Sequence, residues 1–192
     1  MELVLLPVVE SAFDPFAYSS GRASGLWQFI PATARLYDVN IDWWYDGRRD
    51  VLDSTDAALT YLDRLARRFD GDWMHALAAY NSGGGTVNRA IRKNREANRS
   101  TSYWALKLPD ETKAYVPKLI ALAKLVKYSE KYGIKLRHIP NEPYFAAVNT
   151  EAQIDLAQAA KMADITINDM MTIKAQTPAD VLALCPVAEA PN

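Results

Sequence analysis

The chain has 192 residues, of which 49% are apolar and 23% charged, and its net charge is −1. Such a chain holds one domain with a full hydrophobic core and room for a small appendage, and its charge balance excludes a whole-molecule polyanion binder. A single cysteine, Cys185, excludes an intramolecular disulfide and any multi-cysteine metal site, while His75 and His138 are too far apart in sequence for a metal-binding pair. No stretch is long and apolar enough to cross a membrane.

The first predicted element covers Leu3 to Phe13, with Leu3, Val4, Leu5, Leu6, Val8, Val9, Ala12 and Phe13 apolar. A helix apolar on nearly every face is expected to be buried. Glu10 then sits near the end of a buried element with no basic neighbour in sequence. Burial raises a carboxyl pKa, which is what a catalytic acid requires; an idle carboxylate at a helix end is the equally weighted alternative. The start does not read as a secretory signal, because Glu2 precedes the short apolar run and no cleavage pattern follows it. A chain that opens inside an apolar helix reads as a domain lacking its N-terminal part.

Asp14-Pro15 breaks this element and Tyr18–Gly21 is a loop. In Gly25-Leu26-Trp27-Gln28-Phe29, an extended backbone would point Gln28 opposite to both rings, where its amide recognises a ligand or bonds the backbone. Pro31 opens a short helix. The aromatic run Trp43-Trp44-Tyr45 is expected to lie mostly in the core, with Asp46, Arg48, Arg49 and Asp50 tied to one another. Asp53 or Ser54 caps a helix whose apolar positions run from Ala57 to Phe69 and which stops near Asp70-Gly71.

A further helix from about Trp73 to Tyr80 runs into Asn81-Ser82-Gly83-Gly84-Gly85. That turn lets backbone approach a bound molecule, but it lacks the Lys-Ser/Thr of a phosphate loop. Thr86–Ala97 is helical, and its Arg89, Arg92, Lys93 and Arg95 form a solvated basic face; no nucleic-acid-binding signature accompanies them. Asp110 opens a long helix to about Tyr132, with Pro117 as a kink or first-turn residue and Tyr115 on the same face as Leu119. Beyond Lys135 the reading is an extended strap, short helices at Ile154–Met162 and Ile167–Ile173, and a tail, Thr177–Asn192, expected to be partly disordered.

Four separated segments share one pattern. Glu10-Ser11, Gly25-Leu26-Trp27-Gln28, Ala79-Tyr80-Asn81-Ser82-Gly83, and Glu111-Thr112 with Tyr115-Val116 resemble the signature of the family 1 lytic transglycosylases. Order and spacing agree over about Glu2–Tyr132. Trp43-Trp44, Arg48-Arg49-Asp50 and Asn141-Glu142-Pro143-Tyr144-Phe145 are similar to the family's membrane-bound D branch. Trp27 and Ser82 depart mildly from the common Met and Ala. That branch usually ends in LysM glycan-binding modules; Phe145–Thr177 looks like the segment preceding them and contains no convincing LysM.

The resemblance implies a mainly α, lysozyme-like (goose-type) domain with at most a very small sheet. It would span residues 1–138 and be truncated at its N-terminus, with residues 139–192 forming a C-terminal strap and short helices. It implies a peptidoglycan-cleaving enzyme acting between N-acetylmuramic acid and N-acetylglucosamine, with Glu10 as sole catalytic acid/base and 1,6-anhydro ends as product. Ser11 and Gln28 would orient the sugar; Tyr80, Asn81 and Tyr115 would hold Glu10 or the N-acetyl group; Gly25 and Gly83 would shape the groove. No metal or other cofactor is implied, and the partners are glycan strands rather than nucleic acid. A monomer on the periplasmic side, from a parent anchored at the outer membrane, is expected. Ordinary glycosidases need two carboxylates. Asp14, the nearest candidate, is expected to be a turn or cap residue. A goose-type hydrolase and a non-catalytic glycan-binding or docking domain are the alternatives.

Overall fold

A computed structural model describes residues 3–141, 146–148, 154–174 and 182–184. The chain falls into two compact units, one of Met1–Ala12 with Ala58–Leu136, the other of Phe13–Ala57 with Arg137–Asn192. Among the described residues the structure is mainly helical.

The first unit contains α1 (Leu6–Ser11), most of α3 (Val51–Arg68), α4 (Trp73–Ser82), α5 (Gly84–Glu96) and α6 (Asp110–Lys127). Its centre is α4, whose Ala76, Leu77, Ala78 and Ala79 are fully buried. Three small side chains in four positions let neighbouring helices close on it, and α5 and α6 both pack against it. Asp72 starts this helix by accepting from the amides of Met74 and His75 at 2.9 and 3.1 Å. His75 is structural: its Nε2 lies 2.9 Å from the Thr101 carbonyl and its Nδ1 3.0 Å from Asp72.

Helix α6 keeps its course through Pro117, which has no N–H for the carbonyl of Lys113. The hydroxyl of Tyr103 lies 3.0 Å from that carbonyl and 2.9 Å from the carbonyl of Thr112. A side chain from outside the helix thus supplies the donor the proline lacks. The regular helix ends at Lys127, short of the expected Tyr132, and a 3-10 turn (Ser129–Tyr132) carries the chain to Gly133.

The apolar opening is not buried on all faces. Leu6 and Pro7 are buried, but Val4 and Phe13 are 66% and 51% exposed, and Val8 and Val9 are only half-buried. The cause is length: α1 has six residues and ends where Ala12 and Phe13 take positive φ of 54° and 63°.

The second unit holds the loop region around α2 (Pro31–Arg35) and the first residues of α3. Arg48 is its clamp. This buried guanidinium bonds both carboxylate oxygens of Asp46 at 2.8 and 2.6 Å and reaches the carbonyls of Arg22 and Phe29. Gly25 is obligatory here, because a Cβ would lie 1.7 Å from the Arg48 carbonyl oxygen and φ is +82°. Helix α3 is capped by Asp50 rather than by Asp53 or Ser54. The Asp50 carboxylate accepts from the amides of Leu52 and Asp53, both at 2.9 Å, and buries itself in doing so.

The expected burial of the tryptophan run fails for two of its members. Trp43 and Trp44 are 88% and 91% exposed. They ride on a tight turn in which the Asp42 carboxylate accepts from the amides of Trp44 and Tyr45, so the backbone holds the rings outward. Trp27, outside this run, is buried, its indole N–H donating to Thr55 at 2.9 Å.

Later in this unit, strands β1 (Ala146–Val148) and β2 (Leu182–Leu184) pair antiparallel and bracket α7 (Leu156–Met162) and α8 (Ile167–Lys174). Ala159, Ala160 and Met170 form a small core between the helices. The expected tail Thr177–Asn192, apart from Leu182–Leu184, lies outside the described residues, as does all but Asn141 of the Asn141–Phe145 motif.

Candidate active site

Glu10 lies one residue from the C-terminal end of α1. Its Oε1 accepts a hydrogen bond from the hydroxyl of Tyr115, on the second turn of α6. Its carboxyl pKa is pushed up to about 7. Loss of water is the main cause; the Tyr115 bond opposes the shift and the charge of Glu111 adds to it. A carboxyl poised there is partly protonated near neutral pH and can both give and take a proton.

Two tyrosines bound the carboxyl. Burial, the adjacent Glu10 charge and the bond to it raise the Tyr115 phenol far above its ordinary range, so it remains a donor. Tyr80, near the end of α4, is raised well above its usual value by burial and then by Glu10. Its ring packs on Tyr61 of α3, with centroids 5.3 Å apart.

Asn81 bonds two residues at the start of α6. Its Nδ2 donates to Glu111 at 3.2 Å and its Oδ1 accepts from the buried Thr112 hydroxyl at 2.8 Å. The amide thereby links the end of α4 to the start of α6 and holds Glu111. The sequence carried one signal of this role for Glu111, its place four residues before Tyr115, which puts both on one face of α6.

Ser11 donates its hydroxyl to the Pro7 carbonyl at 3.2 Å. Gly83 joins α4 to α5 at φ +84°, and a Cβ there would meet nothing within 4 Å. Gly25 and Gln28 belong to the second unit. Gln28 is not in an extended segment; it takes φ +50° at the end of a turn, and its Nε2 donates to the carbonyls of Gly25 and Ala17 at 2.9 and 3.3 Å. Asp14 is a turn residue, its carboxylate accepting from the Phe16 amide at 2.8 Å. Among the described residues no group of three or more His, Cys, Asp or Glu side chains is placed to hold a metal.

Comparison with known proteins gives a consistent set of likenesses. Residues 1–103 match the family described as "Transglycosylase SLT domain". The chain is 47% identical over 175 residues to the membrane-bound lytic murein transglycosylase D of Escherichia coli K12, and equally so to that of a second E. coli strain. Each alignment covers 91% of this chain and 39% of the relative, so the chain spans about two fifths of those proteins. Among solved structures, the 70 kDa soluble lytic transglycosylase SLT70 of E. coli superposes with a TM-score of 0.50 at 23% identity, over 65% of this chain and 21% of that one. This likeness shows the mainly α, lysozyme-like fold.

Proposed function

From a chain that belongs to the transglycosylase SLT domain family, we propose a peptidoglycan lytic transglycosylase in which Glu10 is the single general acid and base. The observation that carries this reading is the desolvated Glu10 carboxyl, with its pKa near 7 and a phenol donor fixed on one oxygen. Protonated Glu10 gives its proton to the glycosidic oxygen between N-acetylmuramic acid and N-acetylglucosamine as the C1–O bond breaks. The carboxylate so formed, supported by Tyr115, takes the proton of the muramoyl C6 hydroxyl as that oxygen bonds C1. The ring closes as a 1,6-anhydro sugar, Glu10 is protonated again, and no water is consumed.

The remaining roles belong to the same reading. Tyr80 and Tyr115 keep the carboxyl dry, and Asn81 with Thr112 fixes Glu111, whose charge helps hold the proton on Glu10. Ser11 and Gln28 orient sugar groups, and Gly25 and Gly83 shape the backbone that borders the glycan. Residues 1–138 serve as the catalytic part and residues 139–192 as its strap and short helices. We place the parent protein in the periplasm, anchored at the outer membrane and acting as a monomer on glycan strands, in line with the "membrane-bound" name of its relatives; none of the described helices is itself long and apolar enough to cross a membrane.

Mass spectrometry of muropeptides released from purified cell wall tests the reaction. Ends lighter than reducing ends by one water are expected. Reducing ends would make the protein a hydrolase, and no release by intact protein would leave only glycan binding.

A further inference from the structure

A second feature of the first unit has no part in the proton chemistry. A cleft of about 380 Å³ lies between α5 and the segment 107–109 that leads into α6. Arg89, Lys93 and Lys107 stand around it, and Ala90 and Leu108 give it an apolar lining. It has three cations and no acidic residue. Among the described residues none of the three joins an ion pair; Arg89 bonds only the Thr86 hydroxyl, at 3.2 Å. Arg89 and Lys93 are one helical turn apart, where like charges repel.

The arrangement is built rather than incidental. Asn94, buried on α5, donates to the carbonyls of Ser100 and Ala105 at 2.7 and 2.9 Å. Those two bonds hold the loop that delivers Lys107 to the cleft. A buried polar side chain thus keeps Lys107 beside Arg89 and Lys93, three exposed cations whose mutual repulsion a bound anion reduces.

We propose that this cleft binds the acidic peptide stem carried by muramic acid in peptidoglycan, so that the protein prefers peptide-bearing strands to naked glycan. The proposal rests on the peptidoglycan reading above. Stem carboxylates suit the three cations, and the methyl groups of its alanines suit Ala90 and Leu108. Pro109, at the edge of the cleft, precedes by two residues Glu111, whose charge acts on Glu10.

The test is calorimetric binding of the intact protein to the disaccharide N-acetylglucosaminyl-N-acetylmuramic acid, with and without its tetrapeptide. This ligand lacks the bond proposed to be cut, so binding is read without turnover. The stem is expected to tighten binding roughly tenfold, with the gain lost at high salt and in Arg89→Gln/Lys93→Gln/Lys107→Gln. Lys107→Gln alone, an exposed change with no packing cost, is expected to lose about threefold. Equal affinity for the two ligands, or a stem preference unchanged in the triple variant, overturns the proposal. So does tighter cleft-dependent binding of a phosphate-bearing glycopolymer. Failure of the catalytic reading looks different, because stem-dependent binding would persist while cell wall yields no anhydro ends.

Discussion

The hydroxyl of Tyr115 donates to Oε1 of Glu10 from 105 positions further along the chain. This bond does two opposed things. It lowers the pKa of Glu10 against the larger effect of burial, and it supports the carboxylate once the proton has left. Tyr115→Phe is expected to move the Glu10 ionisation up by about one to two pH units, since a hydrogen bond to a charged group contributes about 1.5–3 kcal/mol. The alkaline shift of the pH–kcat profile, with kcat reduced more than tenfold, checks it.

Placing Glu10 out of water costs stability. Its folded pKa, about 7, lies above the ordinary 4.5, so the folded state binds the proton more tightly. Stability is therefore fully retained below the unfolded pKa and declines as pH rises from about 4.5 through 7. At alkaline pH the loss is on the order of 3 kcal/mol as an upper figure. Glu10→Gln removes this dependence. Thermal melts are expected to show the variant gaining several degrees over the wild type at pH 8 and much less at pH 4.5.

Tyr103 and Pro117 form a coupled pair through the Lys113 carbonyl. Tyr103→Phe should destabilise by about 1–3 kcal/mol by leaving the part-buried Lys113 carbonyl, and the buried Thr112 carbonyl beside it, short of a donor. In a Pro117→Ala background the helix supplies its own N–H, and the same substitution should cost less. A double-mutant cycle in urea reads the difference directly; additive effects would deny the coupling.

Gly25 and Gly83, two of the four described glycines with positive φ, should respond differently. Gly83→Ala meets no atom and carries only the backbone penalty, about 1–3 kcal/mol. Gly25→Ala drives a Cβ into the Arg48 carbonyl and should lower the urea midpoint far more, by over 3 kcal/mol in stability.

Much of this was readable in the sequence, for identifiable reasons. Pro31 at a helix start and Gly71 after α3 are local chemistry, settled within a few residues. Glu10 drew attention because its neighbours are apolar, yet the helix around it is short and partly exposed; α6 and its tyrosine provide much of the shelter. Contacts between α4 and α6 have no signature in spacing, so the grip of Asn81 on Glu111 could not be read from either segment alone. Trp43 and Trp44 mislead because composition predicts burial while the Asp42 turn imposes the opposite. Asp50 outcompetes Asp53 and Ser54 as cap because the loop held by Arg48 fixes where α3 can begin.

The most direct measurement is a carbon-13 NMR titration of the Glu10 side-chain carboxyl, assigned by its absence in Glu10→Gln. A midpoint near 7 is predicted. A midpoint at the ordinary carboxylate value would mean that the group is hydrated and always charged near neutral pH, which contradicts its use as the proton donor.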